Sequence, residues 1–259
     1  MSTVLVTGGT GYIGSHTYVE LLNTDDDIVV VGNLSNSKRV VLEKIIEITG
    51  KELEFIEADI LGTDKLDRIF KDYQIDNVIH FAGLKTVGES SEIPLYYYQN
   101  NITGTISLLQ VMKSHGIKNL IFSSSATVYG DPGSLPIKED FPLFATNPYG
   151  RTKLFIEEIL RDLYKSDNEC NIALLHYYNP AGTHKSGLIG EDPRGTPNNL
   201  IPYLSQVAVG KLKTLSVYGD DHDTIDGSGV KDYIHVLDLA SGHYKGIGKN
   251  KNKPCAGCL

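Results

Sequence analysis

Short, unbroken apolar runs rich in β-branched residues recur along this chain with helix-length amphipathic stretches between them, and that alternation leaves few folds open. VLV at 4–6, IVVV at 28–31, VIHFA at 78–82, NLIFSSS at 119–125 and IALLHYY at 172–178 lack the polar alternation of a half-exposed strand. They read as strands buried on both faces. LEFIEAD at 53–59 is a weaker strand, and residues 13–23, 38–49, 64–73, 94–114 and 149–165 have the pattern of amphipathic helices. Strand, helix, strand in this rhythm implies right-handed crossovers and an α/β fold with a doubly wound parallel sheet of the Rossmann type. Ligands of such a sheet bind outside the carboxyl ends of its strands.

After residue 178 the rhythm changes. Residues 179–199 are rich in Gly, Pro and Asn and read as irregular backbone. A helix at 200–210, a strand at 215–219 (LSVYG), a polar Gly/Asp loop and a helix-like stretch DYIHVLDLASGHYKG follow. The expected organisation is a dinucleotide-binding domain over 1–178 and a small, partial second domain over 179–259.

Composition narrows the class of function. With 259 residues, 41% of them hydrophobic, the chain has ample core to fold and is not disordered. A net charge of −8 argues against a nucleic-acid partner, which calls for a basic surface. The amino-terminal MSTVLVTGG has no signal-peptide pattern, and no apolar stretch approaches the roughly 18 residues of a membrane span. Cys170, Cys255 and Cys258 are too few for a disulfide framework and point to a reducing compartment, so a cytoplasmic location is expected. The single C-x-x-C at 255–258 has no second pair, so it reads as a tail feature and no metal site is assigned.

Two local motifs carry chemistry. The first strand runs into Thr7-Gly8-Gly9-Thr10-Gly11-Tyr12-Ile13-Gly14 and then a helix. Glycines at 8, 11 and 14 permit a tight turn, close backbone approach to a pyrophosphate and close helix–strand packing, with the helix N-terminus facing the phosphates. The acidic residue that usually closes the second strand and holds the adenosine ribose is absent: Val31 is followed by Gly32 and Asn33. Loss of one charge-assisted hydrogen bond costs about 1.5–3 kcal/mol. Asn33 is the nearest substitute, and the missing charge relaxes the bias between NAD and NADP. The second motif is Tyr149-x-x-x-Lys153 in NPYGRTKLFIEEIL, with both side chains on one helix face at the carboxyl edge of the sheet. A lysine ammonium near a phenol favours the phenolate and makes Tyr149 a general base, with a hydroxyl from Ser123-Ser124-Ser125 in reach of the same substrate oxygen.

Together TGGTGYIGSHT, NLSNSK, HFAGLKTVGES, NNITGT, FSSSATVYGD, NPYGRTK, YYNPAGTHKSGLIGEDPRG, PNNLIPY and VKDYIHVLDLASGH resemble the UDP-glucose (UDP-galactose) 4-epimerase family of the extended short-chain dehydrogenases/reductases, over residues 3–244. The resemblance implies NAD as cofactor and UDP-glucose and UDP-galactose as substrates. Tyr149 would take the proton of the sugar 4-hydroxyl while the C4 hydride passes to NAD, and the 4-keto sugar would turn over before the hydride returns. Ser125 and Lys153 complete the catalytic set. Cofactor contacts would come from Gly8, Gly11, Tyr12, Ile13, Gly14, Asn33, Asn36, Ser37, Asp59, Ile60, Phe81, Ala82, Gly83, Lys85, Asn101, Tyr149, Lys153 and Tyr178. Substrate contacts would come from Lys85, Ser125, Tyr149, Tyr177, Asn179, Asn199, Leu200, Tyr218 and Lys231.

Related 4,6-dehydratases need an acidic pair directly after the catalytic hydroxyl residue, and here that place reads Ala126-Thr127. The chain departs from the family at Gly32 (aspartate), Lys231 and His176 (both arginine) and Tyr178 (phenylalanine), and it looks truncated at its carboxyl end. The family's dimer helices correspond to 94–114 and 149–165. The alternative to an active epimerase is a catalytically impaired fragment that binds NAD or a nucleotide sugar.

Overall fold

The computed structural model describes residues 2–195, 197–217, 219–250 and 257–258. In chain order the strands are β1 (Thr3–Thr7), β2 (Asp27–Gly32), β3 (Glu54–Glu57), β4 (Asn77–His80) and β5 (Asn119–Ser123). They continue with β6 (Asn171–Leu175), β7 (Asn179–Ala181), β8 (Tyr233–His235) and β9 (Gly257–Cys258). The helices are α1 (Tyr12–Leu22), α2 (Val40–Thr49), α3 (Thr63–Asp72), α4 (Val87–Glu92), α5 (Pro94–Tyr97), α6 (Gly104–Ser114), α7 (Pro148–Ser166), α8 (Leu200–Ala208) and α9 (Val236–Asn250).

Among the described residues one parallel sheet runs β3-β2-β1-β4-β5-β6-β9. The chain winds outward from β1 through β2 to β3, then crosses back to β4 on the other side of β1. This reversal opens a crevice at the carboxyl ends of β1 and β4, where Thr7 stands beside both Val31 and His80.

The unbroken apolar runs follow from the pleat. Leu5, Val29, Val31, Val78, Leu120 and Phe122 pack on one face against Leu66 and Phe70 of α3, Leu108 and Met112 of α6, and Ile156 and Leu160 of α7. Val4, Val6, Val30, Ile79 and Ile121 point the other way, onto Tyr18 and Leu21 of α1, Ile45 of α2 and Ile247 of α9. Each such side chain contributes about 1.5–3 kcal/mol on burial, so an unpaired polar residue at Val4, Leu5 or Val6 would cost stability on either face.

The helix expected over 94–114 forms as one uninterrupted run of α5, a π-helical turn over Tyr98–Thr103, and α6, while two other elements differ from the sequence-based expectation. Pro94 opens the first piece. Gly104 opens the last, where a Cβ would lie 2.5 Å from the Ile60 side chain. The strand expected at 215–219 does not form over 215–217 or at 219; Val217 is 75% exposed there. The helix-like stretch from Asp232 divides into β8, which pairs in parallel with β7, and α9. Helix α9 packs on α1, β5 and β6, so the chain beyond 178 also completes a layer of the main sheet. Tyr218 and Cys255 lie outside the described residues.

Two buried histidines sit behind the crevice. His80 lies between Thr7 Oγ1 (2.7 Å) and Thr105 Oγ1 (2.9 Å). Thr105 donates its own proton to the Asn101 carbonyl, so it accepts from His80 Nε2–H, and Nδ1 accepts from Thr7. His243 of α9 lies against Phe81, ring centroids 4.5 Å apart, and meets Leu239 O through Nδ1 at 2.8 Å; its Nε2 is buried without a partner. Burial pushes His80 down to about 3 and His243 to about 4. The unfolded chain therefore binds more protons than the folded one below pH 6.5, and stability falls as pH drops through that value. At pH 5 each histidine costs about 2 kcal/mol. Urea unfolding of His243→Leu should lose less stability between pH 7 and pH 5 than the parent; equal losses would remove His243 from the acid response.

Candidate active site

The glycine turn shapes the first wall of the crevice. Gly8 has φ +71°, and a Cβ there would lie 2.8 Å from the Ala82 amide nitrogen. At Gly14 a Cβ would meet the Gly8 carbonyl oxygen at 2.4 Å, so only glycine lets α1 start this close to the turn. Gly11 caps α1 without any side-chain hydrogen bond, and the first turn, which includes Tyr12 and Ile13, carries no acidic residue. Its amides are open to an anion, which is the fit a dinucleotide pyrophosphate requires.

At the end of β2, Asn33 is already engaged. Its Nδ2 donates to Asp59 Oδ2 at 2.8 Å and its Oδ1 accepts from the Ser35 amide at 3.0 Å. Asp59 also accepts from the Leu61 amide, and the Ile60 side chain is buried against Gly104. Ser37 Oγ meets Thr10 Oγ1 at 2.8 Å, while Asn36 is exposed.

Tyr149 and Lys153, two of the three residues expected to be catalytic, come from the capped start of α7. Asn147 caps the helix through Oδ1, which accepts from the Gly150 amide at 2.9 Å, and Pro148 occupies the first turn. This places Tyr149 in the first turn and Lys153 one turn below it. The Tyr149 amide donates to Ser90 Oγ at 3.1 Å, which ties α7 to α4. The three serines have separate partners: Ser123 bonds the Tyr177 hydroxyl, Ser124 bonds Glu157, and Ser125 interacts with the Tyr149 phenol. Ser125 Oγ accepts from the amide (3.2 Å) and hydroxyl (3.0 Å) of Thr127, so its own proton is left to donate.

Electrostatics here differ from the expectation of a lowered tyrosine. Burial raises Tyr149, and the Ser125 hydrogen bond offsets only part of that. Lys153 is 7% exposed; its Nζ donates to Ser123 O at 2.7 Å and sits 4.8 Å from the centre of the Phe122 ring. Burial lowers Lys153 to about 8, with Glu157 acting in the opposite sense.

The loop after β4 carries Phe81, Ala82, Gly83 and Lys85. Asn101, inside the π-helical turn, accepts from Leu84 N (2.8 Å) and Asn100 Nδ2, and donates to Leu84 O and Thr152 Oγ1 (both 3.0 Å). All four of its side-chain bonding sites are in use, so Asn101 clasps the loop to α7 and has none left for a cofactor. The segment after β7 closes over the cradle. Tyr12 donates to Gly182 O at 2.6 Å, Lys85 pairs with Glu191 at 3.0 Å, Lys38 pairs with Asp192, and Arg194 donates to Ser37 O at 3.0 Å. Asn179 donates to Asp232 O, and Asn199 to Glu191 at 3.4 Å; Tyr178, Leu200 and Lys231 are exposed on the same side.

Sequence reasoning missed a buried hub. Glu157 is fully buried and bonds Ser124, His176 Nε2 (2.8 Å) and Arg161 (2.8 Å), while the Tyr129 hydroxyl and His176 Nδ1 are hydrogen-bonded at 2.7 Å. Burial opposes its charge, but these partners outweigh it and hold the carboxyl below its usual range. The available signal was its spacing, four residues beyond Lys153 on the same helix face.

A doubly wound sheet, an open glycine cradle at its switch point and a Ser/Tyr/Lys centre beside it define a dinucleotide-dependent enzyme that works on a hydroxyl-bearing substrate. The pattern of the NAD dependent epimerase/dehydratase family matches residues 4–256, and the chain belongs to that family. It is 61% identical to a UDP-glucose 4-epimerase of Bacillus subtilis over 249 residues, 96% of this chain and 74% of the relative. A UDP-glucose 4-epimerase of Dictyostelium discoideum is 56% identical, over 99% of this chain and 74% of the relative. Among solved structures, the Bifidobacterium longum UDP-glucose 4-epimerase in complex with NAD+ and UDP superposes with a TM-score of 0.91 at 55% identity, covering 94% of this chain and 73% of that one.

Removing one member of a buried ionic hub costs about 3–5 kcal/mol. Glu157→Ala should lower the urea midpoint accordingly, with Glu157→Gln intermediate; an unchanged midpoint would show that the hub adds nothing to the fold.

Proposed function

We propose that this chain interconverts UDP-galactose and UDP-glucose at C4 through a transient 4-keto sugar, with NAD as a bound cofactor. The observation that carries the reading is the 61% identity to a named UDP-glucose 4-epimerase, supported by Tyr149 beside Ser125 and by Lys153 one helical turn on, bonded to the end of β5. NAD bound in the cradle supplies the hydride acceptor and donor. The chain's own groups handle the proton and the positioning.

Tyr149 is the group that receives the 4-hydroxyl proton. Burial holds the phenol neutral in the ligand-free chain, so it becomes a base only with cationic help nearby. Lys153 remains an ammonium below about pH 8 and supplies that help from one turn away on the helix. The Ser125 proton, left free by the two Thr127 bonds, donates to the Tyr149 oxygen or to the sugar oxygen as charge develops. The segment carrying Asn179, Glu191 and Asn199, tied to the cradle by Tyr12 and Lys85, forms the wall against which the nucleotide sugar rests. Ala126 and Thr127 carry no carboxylate after Ser125, so the site lacks the acid–base pair a dehydration would use.

The test is UDP-galactose to UDP-glucose turnover by the folded chain with added NAD+. Tyr149→Phe should keep dinucleotide binding and lose turnover by about 10²-fold or more. Unchanged turnover would remove Tyr149 from the mechanism. A folded, NAD-binding parent without turnover would instead favour a nucleotide-sugar-binding chain of the same family.

We also infer a homodimer through α5, α6 and α7, and a cytoplasmic location. Leu95 is 81% and Phe155 47% exposed, and Phe155 stacks on Tyr98 at 6.3 Å. Two shallow apolar grooves run side by side there, one past Leu95, Tyr98 and Phe155, the other past Ile106, Ile159 and Leu163. Contiguous exposed apolar surface of this kind marks an interface. Phe155→Asp should halve the sedimenting mass; the same mass for parent and variant would place the contact elsewhere. The location rests on a buried, unpaired Cys170 and on the absence, among the described residues, of a helix long and apolar enough to cross a membrane.

A further inference from the structure

The end of β2 is where a dinucleotide-binding sheet chooses between cofactors. A carboxylate there bonds the ribose 2′-hydroxyl and repels a 2′-phosphate, whereas an arginine nearby accommodates the phosphate. In this chain the position is Gly32, the last residue of β2. A Cβ at Gly32 would meet Thr10 Oγ1 at 3.4 Å and Phe55 Cε2 at 3.8 Å, ordinary van der Waals distances, so the position between the glycine turn and β3 has no steric need for glycine.

The surroundings of that position suit a phosphate. The hydroxyls of Thr10 and Ser37 stand 2.8 Å apart on one side. On the other, the Arg39 guanidinium lies 5.8 Å from the centre of the Phe55 ring, the ring that borders that position. The carboxylates around it are already engaged: Glu57 with Arg39, Asp59 with Asn33 and the Leu61 amide, and Asp192 with Lys38. Arg39 and Glu57 are 63% and 53% exposed, and an exposed pair of this kind is worth about 1 kcal/mol at most. A phosphate dianion offers the guanidinium a stronger, bidentate partner.

We propose that this chain accepts NADP as well as NAD, with the carboxylate-free position at Gly32 admitting the 2′-phosphate and Arg39 binding it. The proposal rests on the reading of the cradle as a dinucleotide site, and the experiment separates the two. NAD+ and NADP+ are titrated calorimetrically, without sugar nucleotide, into dinucleotide-free parent, Gly32→Asp, Arg39→Ala and Arg39→Gln, with folding of each checked by circular dichroism. The parent should bind the two cofactors within about thirtyfold of each other, a difference of about 2 kcal/mol. Gly32→Asp should move the ratio toward NAD+ by about 10²-fold, through a new bond to the 2′-hydroxyl and repulsion of the phosphate. Both Arg39 variants should weaken NADP+ about tenfold and leave NAD+ unchanged. A parent that prefers NAD+ by more than about thirtyfold, or Arg39 variants that weaken both cofactors equally, overturns the proposal. Binding of neither cofactor by the folded parent overturns the dinucleotide site itself, and the proposal with it.

Discussion

Helix α1 can begin at the end of β1 only because Gly14 meets the Gly8 carbonyl with no side chain between them. A Cβ 2.4 Å from that oxygen would push the helix away from the turn. The close start brings the amides of the first turn to the switch point, at the carboxyl ends of the paired strands β1 and β4. It also seats Tyr18 and Leu21 on Val4, Val6 and Val30. The anion site and one face of the core are thus set by the same contact. The loop after β4 answers it from the opposite side, with Ala82 against Gly8.

The second half of the site depends on a different device. Asn147 and Pro148 define where α7 starts, and the helical repeat then places Tyr149, Lys153 and Glu157 one turn apart. Glu157 reaches back through Ser124 to the end of β5 and through His176 to the residue after β6. The carboxylate joins the helix bearing the tyrosine to the strand end bearing Ser125. It also places charge near Lys153, whose ammonium is otherwise held by a carbonyl and an aromatic face. Burial makes both the lysine and the tyrosine costly to ionise, raising the phenol and lowering the ammonium.

The chain beyond 178 serves two layers. Its first part, from β7 to α8, bonds the cradle through Tyr12, Ser37, Lys38 and Lys85. Its last described helix, α9, returns to the sheet and places His243 against Phe81. The wall of the substrate side and the floor of the cofactor side are therefore linked by one continuous segment, entered through the short β7–β8 pair.

From the sequence alone, the doubly wound parallel sheet, the glycine cradle and the Tyr149/Lys153 pair were legible, because each rests on local chemistry: apolar runs, glycine geometry, helical spacing. The missing acidic residue at Gly32 was legible for the same reason. The family resemblance singled out Ser125, and the tertiary structure supplied separate partners for the other two serines, Tyr177 for Ser123 and Glu157 for Ser124, because those partners reach each hydroxyl only across the fold. The tertiary structure turned Asn101 into a clasp by saturating its amide with Leu84, Thr152 and Asn100, and it left Leu215 and Val217 exposed and outside any strand. It also set the direction of the Tyr149 shift. Spacing on a helix specifies which side chains share a face, whereas the free energy of ionising a phenol depends on everything packed around it.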